Sequence, residues 1–167
     1  MENNADRDES VRKLGELIKD IEFAMLTTAE ADGTLRSRPM ATQEVEFDGD
    51  IYFFTHAHSP KTDEIERERH VNVSYARPEA NRYVSVSGRA SLSRDRAKIE
   101  ELWNPILKAW FPKGLDDPEL ALLKVSVESA EYWDAPDGKV VQIVGFVKAL
   151  VTGEPYKPGE NEKINLK

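Results

Sequence analysis

The chain has 167 residues, 40% hydrophobic and 32% charged, with a formal net charge of -8, proportions that fit a single globular domain better than a disordered or membrane-embedded chain. It contains no cysteine, which excludes disulfide frameworks, thiol nucleophiles, iron–sulfur clusters and cysteine-ligated zinc. The negative charge opposes a nucleic-acid backbone, no apolar run approaches the roughly 20 residues that a membrane helix needs, and the start MENNADRDES is acidic, so a cytoplasmic protein with no nucleic-acid or membrane partner is expected.

Residues 1–10 are polar and expected to form a flexible segment, with Ser10 capping a helix whose apolar positions are Val11, Leu14, Leu17, Ile18 and Ile21. Strand patterns follow at 23–28 and 35–47, joined by a turn at Asp32 and Gly33, with a kink expected near Ala41. Asp48 and Gly49 mark a hairpin into an apolar strand at 51–55, and Pro60 opens a charged helix reaching about Glu68. Further strands are expected at 71–76 and 83–93, then helix over 95–111 broken at Pro105. Residues 122–133 read as a long strand, although their leucine-rich beginning also suits a helix, and Asp137 and Gly138 close a turn. Val140, Val141, Ile143, Val144, Phe146, Val147, Leu150 and Val151 supply a broad apolar helical face that Gly153 can end. The polar tail 154–167 receives no assigned element. About six strands with short helices between them describe an α+β protein, one domain over 11–153, built round a mainly antiparallel barrel.

Two stretches carry candidate chemistry. In Arg36-Ser37-Arg38-Pro39-Met40, alternation puts Arg36, Arg38 and Met40 on one strand face, where two guanidinium groups can grip a phosphate. The same arginines also suit an exposed edge guarded against aggregation. In 52–61, an apolar strand leads to Thr55, Ser59 and Lys61 at a helix start, where hydroxyls, free N–H groups and an ammonium can meet an anion. An ordinary cap, with Ser59 accepting an N–H bond and Lys61 in solvent, explains that stretch equally well. His56, His58 and His70 do not reach the three or four converging ligands of a zinc site, so no metal is expected. Ser59 lacks the setting of a catalytic serine. Trp110 and Trp133 can each pack beside a flat aromatic ligand, close a core, or mark a subunit contact.

Taken in order, Arg38-Pro39-Met40, Phe53-Phe54-Thr55 with Ser59 and Lys61, Val84-Ser85-Val86-Ser87-Gly88, Trp110-Phe111-Pro112, Glu131-Tyr132-Trp133 and Gly159-Glu160-Asn161-Glu162-Lys163 resemble the pyridoxamine 5'-phosphate oxidase-like split barrels, most closely their general stress protein 26 branch. The resemblance runs from about Ile21 into the tail. It implies a mainly antiparallel six-stranded split β-barrel with flanking helices, and a homodimer holding FMN, or alternatively FAD, at the subunit interface. It places Arg38, Thr55, Ser59 and Lys61 on the phosphate side, with Met40 and Phe54 near the ring or ribityl chain. Trp133 matches a tryptophan reaching the flavin from the partner subunit, and Pro39 and Trp110 complete the implied cofactor-binding set.

The chain departs from the oxidase pattern at two places. Pro60 stands where an arginine usually separates the serine and lysine of the phosphate loop, and Asp134-Ala135-Pro136-Asp137-Gly138-Lys139 replaces the Arg-x-His stretch that holds the oxidase substrate. Pyridoxal phosphate synthesis is therefore not expected. A flavin-dependent oxidoreductase associated with stress response is the first reading, with no residue marked as general acid or base and the substrate unspecified. A non-enzymatic flavin-binding or stress-response module is the second, and an interaction domain without flavin the third.

Overall fold

A computed structural model of the chain describes residues 2–135, 139–157 and 159–167. Helix α1 (Glu2–Ile18) leads into strands β1 (Phe23–Ala29), β2 (Leu35–Ala41) and β3 (Asp50–His56), then helix α2 (Pro60–Arg67), β4 (His70–Arg77), β5 (Arg82–Ser93) and α3 (Arg96–Leu102). Two short 3-10 turns precede the long strand β6 (Leu120–Asp134), which is followed by α4 (Lys139–Thr152) and β7 (Glu160–Asn165). The sheet order is β2-β1-β4-β5-β6-β3, with every neighbouring pair antiparallel and β7 added to β6. This is a curled, mainly antiparallel split barrel with flanking helices, as the resemblance implies.

Alternation fills its interior. Ala24 and Leu26 from β1, Ile51 and Phe53 from β3, Val73 and Tyr75 from β4, Val84 and Val86 from β5 and Val125 from β6 form one core, onto which α1 sets Leu14 and Leu17. A second, smaller core lies on the other side of β3 and β6, where Ile99, Leu102 and Phe111 cover Leu120 and Leu122. That cover explains the run Leu120–Leu123: a strand buried on both faces has no polar face to alternate with.

Several expectations change. Helix α1 begins at Glu2, so Ser10 lies inside it rather than capping it. Strand β2 stops at Ala41 instead of running to Phe47; Thr42 N–H still donates to the Glu22 carbonyl, and Phe47 packs against the core near α1. The tail contributes β7, whose Ile164 is buried along with the following Leu166 despite polar neighbours. The turn at Asp137 and Gly138 lies outside the described residues. Gly153 ends α4 as expected, with φ of 72°.

One glycine is required by close approach. The β5–β6 register shifts between Ser87 and Gly88, whose partners are Ser129 and Val127, so Glu128 is the extra residue of a bulge. A Cβ on Gly88 would clash with the Ser126 carbonyl oxygen. Because that atom belongs to the backbone of the central strand pair, Gly88→Ala is expected to lower stability by about 1–3 kcal/mol in urea unfolding.

Candidate functional site

The site begins with strand pairing. β1 and β2 set Thr28 opposite Arg36 and Leu26 opposite Arg38, so both arginines leave β2 on the barrel side of this hairpin. Helix α2 lies against this region. Its buried residues are Thr62, Glu64 and Ile65, spaced so that Glu64 points inward although the helix is otherwise charged.

Glu64 is 4% exposed, and its carboxylate is paired through one oxygen. The Arg38 Nη2 donates to Glu64 Oε2 at 2.8 Å, while Nη1 donates to the Thr28 hydroxyl at 2.5 Å. The Thr28 hydroxyl in turn donates to the same Glu64 oxygen, closing a three-residue ring. Arg36 Nη1 stands 3.9 Å from the other Glu64 oxygen and 3.6 Å from Glu30 at the exposed rim. Burial pushes the Glu64 carboxyl up, but the hydrogen bonds from Thr28 and Arg38 and the charges of Arg38 and Arg36 outweigh it and hold it below its ordinary value of 4.5.

Lys61 enters the same field from the first turn of α2. Burial pulls its pKa below the ordinary 10.5 and the Arg38 charge pulls it further, against a smaller opposing pull from Glu64. Among the described residues Lys61 has no salt-bridge partner. Arg38, Lys61 and Glu64 thus leave one positive charge uncompensated in a partly buried place, while Arg36 is shared with Glu30 at the rim. An uncompensated cation there favours an anion.

Hydroxyls lie on the loop side of that helix turn. Ser59 does not cap α2 with its side chain; its hydroxyl meets Thr62 Oγ1 at 2.6 Å. Thr62 Oγ1 and the buried Thr55 Oγ1 both donate to the His56 carbonyl, at 3.3 and 3.4 Å. Pro60 occupies the first helical position and has no N–H, so it offers no donor to an incoming acceptor. His58 turns away to Glu119 at 2.9 Å, and His56 packs its ring 4.7 Å from Phe111.

The sequence-predicted residues therefore divide. Arg38 and Lys61 share one electrostatic field, Thr55 stands near the end of β3, and Ser59 immediately precedes the helix that carries Lys61. Met40 is buried in the main core on the same side of β2 as Arg38. Phe54 occupies the opposite face of β3, edge-to-face with Trp103 at 6.0 Å. Pro39 is exposed on the outer side of β2, opposite Met25. Trp110 is 60% exposed after a 3-10 turn, and Trp133 is 43% exposed beside Tyr83 on the outer face of β5 and β6. Trp133 stands on the outer face of β6 whereas Arg38 leaves β2 on the barrel side, so the two do not line one pocket of one chain.

Glu64 and Thr28 escaped the sequence reading. Glu64 looks like one more charge on a solvated helix, and only its place beside Ile65, on the buried face, hints otherwise. A separate cleft of about 960 Å³ opens between α1, residues 42–47 and the start of β3. Its lining carries Asp8, Glu16, Asp20, Glu22, Glu44, Glu46 and Asp50 against Arg12 and Lys19, an excess of negative charge that disfavours an anion there.

Comparison with known proteins agrees with the fold. The family described as pyridoxamine 5'-phosphate oxidase like matches residues 9–157.

The chain belongs to that family.

Among curated proteins, this family member is 30% identical over 168 residues to Protein bli-3 of Neurospora crassa, covering 95% of the chain and 80% of the relative. Among solved structures, a candidate general stress protein 26 from Jannaschia sp. CCS1 shares the fold with a TM-score of 0.74 at 23% identity, over 95% of this chain and 99% of that one. General stress protein 26 from Bacillus anthracis str. Sterne gives 0.63 at 27% identity, over 74% and 91%. The general stress FMN/FAD binding protein of Xanthomonas citri gives 0.67 at 28% identity, over 78% and 92%. The family assignment includes the general stress protein 26 branch. Among the described residues no helix is long and apolar enough to cross a membrane.

Proposed function

We propose that this family member binds FMN, its phosphate held between β2 and the start of α2, and serves as a flavin-dependent oxidoreductase in a cytoplasmic stress response. The observation that carries the reading is Lys61: a partly buried ammonium with no salt bridge to a carboxylate among the described residues, beside Arg38 and at a helix start lined with hydroxyls. Lys61 and Arg38 would hold the phosphate, with Ser59 and Thr55 nearby. Bound flavin would supply hydride or electron transfer, and the chain's own part is to anchor and orient it. Pyridoxal phosphate synthesis is not proposed, because Asp134 and Ala135 begin the stretch that carries Arg-x-His in the oxidases.

The deciding measurement is a fluorescence-quenching titration with FMN and riboflavin. FMN is expected to bind more tightly, since only it carries the phosphate. Equal affinities for the two would remove phosphate from the reading, and no quenching with either would remove flavin. FAD can be titrated in parallel, since the Xanthomonas citri relative is described as binding FMN/FAD.

The pH dependence has a definite sign. A bound phosphate favours the charged lysine, so FMN affinity falls as pH rises through the pKa of free Lys61, which lies below 10.5. Riboflavin shares the ring and its ionisation but not the phosphate. The ratio of the two affinities should therefore decline toward alkaline pH, and a constant ratio would remove Lys61 from the site.

We also propose a homodimer with the flavin between subunits. Phe23, Met25, Tyr83 and Trp133 are exposed on strands of one sheet, and large apolar side chains grouped on such a surface favour a subunit contact. In this arrangement Trp133 reaches the partner's flavin, although it lines no pocket with its own chain's Arg38. Light scattering should give twice the monomer mass, and Trp133→Ala should change the flavin spectrum or affinity while keeping that mass. An unchanged spectrum and titration would place Trp133 outside the site. A second reading, flavin binding without turnover, is favoured by the Xanthomonas citri relative's description as a binding protein; reoxidation of reduced flavin without product formation from any substrate would support it.

A further inference from the structure

We infer that Glu64 is a positioning residue of the anion site, fixing the Arg38 guanidinium beside Lys61; the inference rests on the phosphate reading above. A carboxylate on a short surface helix has solvent within easy reach, yet this one is buried at 4% exposure. Burial of a charge is unfavourable unless it is paired and hydrogen-bonded. Glu64 meets that condition by taking Nη2 of Arg38 directly and Nη1 through the Thr28 hydroxyl. A third bond runs from Nη1 to the Leu26 carbonyl at 3.5 Å. Three of the guanidinium's five N–H donors are thereby engaged, which sets its plane, and the others remain for a ligand.

The charges work in the same direction. Arg36 and Arg38 face Glu64 from β2, Thr28 from β1, and Lys61 shares its helix; Glu30 faces Arg36 at the rim. Without the Glu64 charge, Arg38 and Lys61 would repel each other with nothing between them, and a long arginine side chain would turn away. Glu64 also favours the protonated form of Lys61. It thus acts on phosphate through its neighbours and touches no ligand itself.

The test titrates FMN and riboflavin into the full chain and its Glu64→Ala, Glu64→Gln and Thr28→Val variants, from neutral to alkaline pH. Glu64→Ala is expected to weaken FMN by about ten-fold or more and to leave riboflavin within about two-fold, because only the phosphate contacts depend on Arg38. Glu64→Gln keeps an acceptor for Arg38 and should restore most of the neutral-pH affinity. Its alkaline loss of FMN should begin at lower pH than in the parent, because Lys61 no longer feels the carboxylate charge. Thr28→Val, which breaks the ring while leaving both charges, should show a smaller FMN-specific loss and serves if Glu64→Ala fails to fold. Parent-like FMN binding in both Glu64→Ala and Thr28→Val, or equal weakening of both ligands, would overturn the positioning role. If the unaltered protein itself fails to prefer FMN over riboflavin, the phosphate reading falls. A parent preference that survives both substitutions removes only Glu64.

Discussion

Lys61→Ala should weaken FMN binding by about one to two decades while riboflavin affinity changes little. A charge-assisted contact is worth roughly 1.5–3 kcal/mol, and about 1.4 kcal/mol corresponds to a decade. The full range is expected because Lys61 is partly buried and solvent screens its charge less than at an open surface. Stability should hold or rise slightly, since the substitution removes a cation that burial and Arg38 both disfavour. A fluorescence titration beside a thermal melt separates the two effects. A parallel loss of FMN and riboflavin affinity would assign Lys61 to the ring or to the fold instead.

Arg38→Ala should have the largest effect on stability, a loss of about 3 kcal/mol near neutral pH, together with weaker FMN binding. Removing one partner of a buried ion pair leaves the other charge stranded, which typically costs roughly 3–5 kcal/mol. The lower end applies because the Arg38 side chain is 19% exposed and Arg36 stays within 3.9 Å of Glu64. The pH dependence reverses with the substitution. In the parent protein Glu64 is held below 4.5, so its contribution is present above that value and lost as pH falls through the folded pKa. In Arg38→Ala the Arg38 hydrogen bond and charge that helped lower it are gone, and burial, the largest influence, is opposed only by the Thr28 hydroxyl and the Arg36 charge. The carboxyl then rises above its unfolded value, and stability is lost as pH rises. Urea unfolding at neutral pH and near pH 4 tests this, because the gap between parent and variant should narrow in acid. A gap independent of pH would mean that Glu64 does not govern the loss.

These two substitutions separate roles that look alike in the sequence. Arg38 and Lys61 are both cations assigned to phosphate, yet Arg38 also neutralises a buried carboxylate and Lys61 does not. The strand alternation of Arg36, Arg38 and Met40 was readable because a pleated strand sends every second side chain to one face. The partner of Arg38 was not readable, since Glu64 lies 26 residues away on a helix whose docking depends on the curl of the sheet.

The sequence by itself determined six of the seven strands, the helix starting at Pro60, the apolar α4 ended by Gly153 and the family, because local periodicity and an ordered set of short motifs are properties of the chain. It also located the strand that carries Arg38 and the helix start that carries Lys61. Tertiary structure decided the rest: that Leu120–Leu123 is a doubly covered strand, that β7 pairs with β6 through a tail with only Ile164 and Leu166 as apolar anchors, and that Phe54 and Met40 enter different cores. It also decided that Glu64 is an ion-pair partner rather than a solvated charge. Burial and pairing depend on which distant segments meet, and no local pattern encodes that meeting.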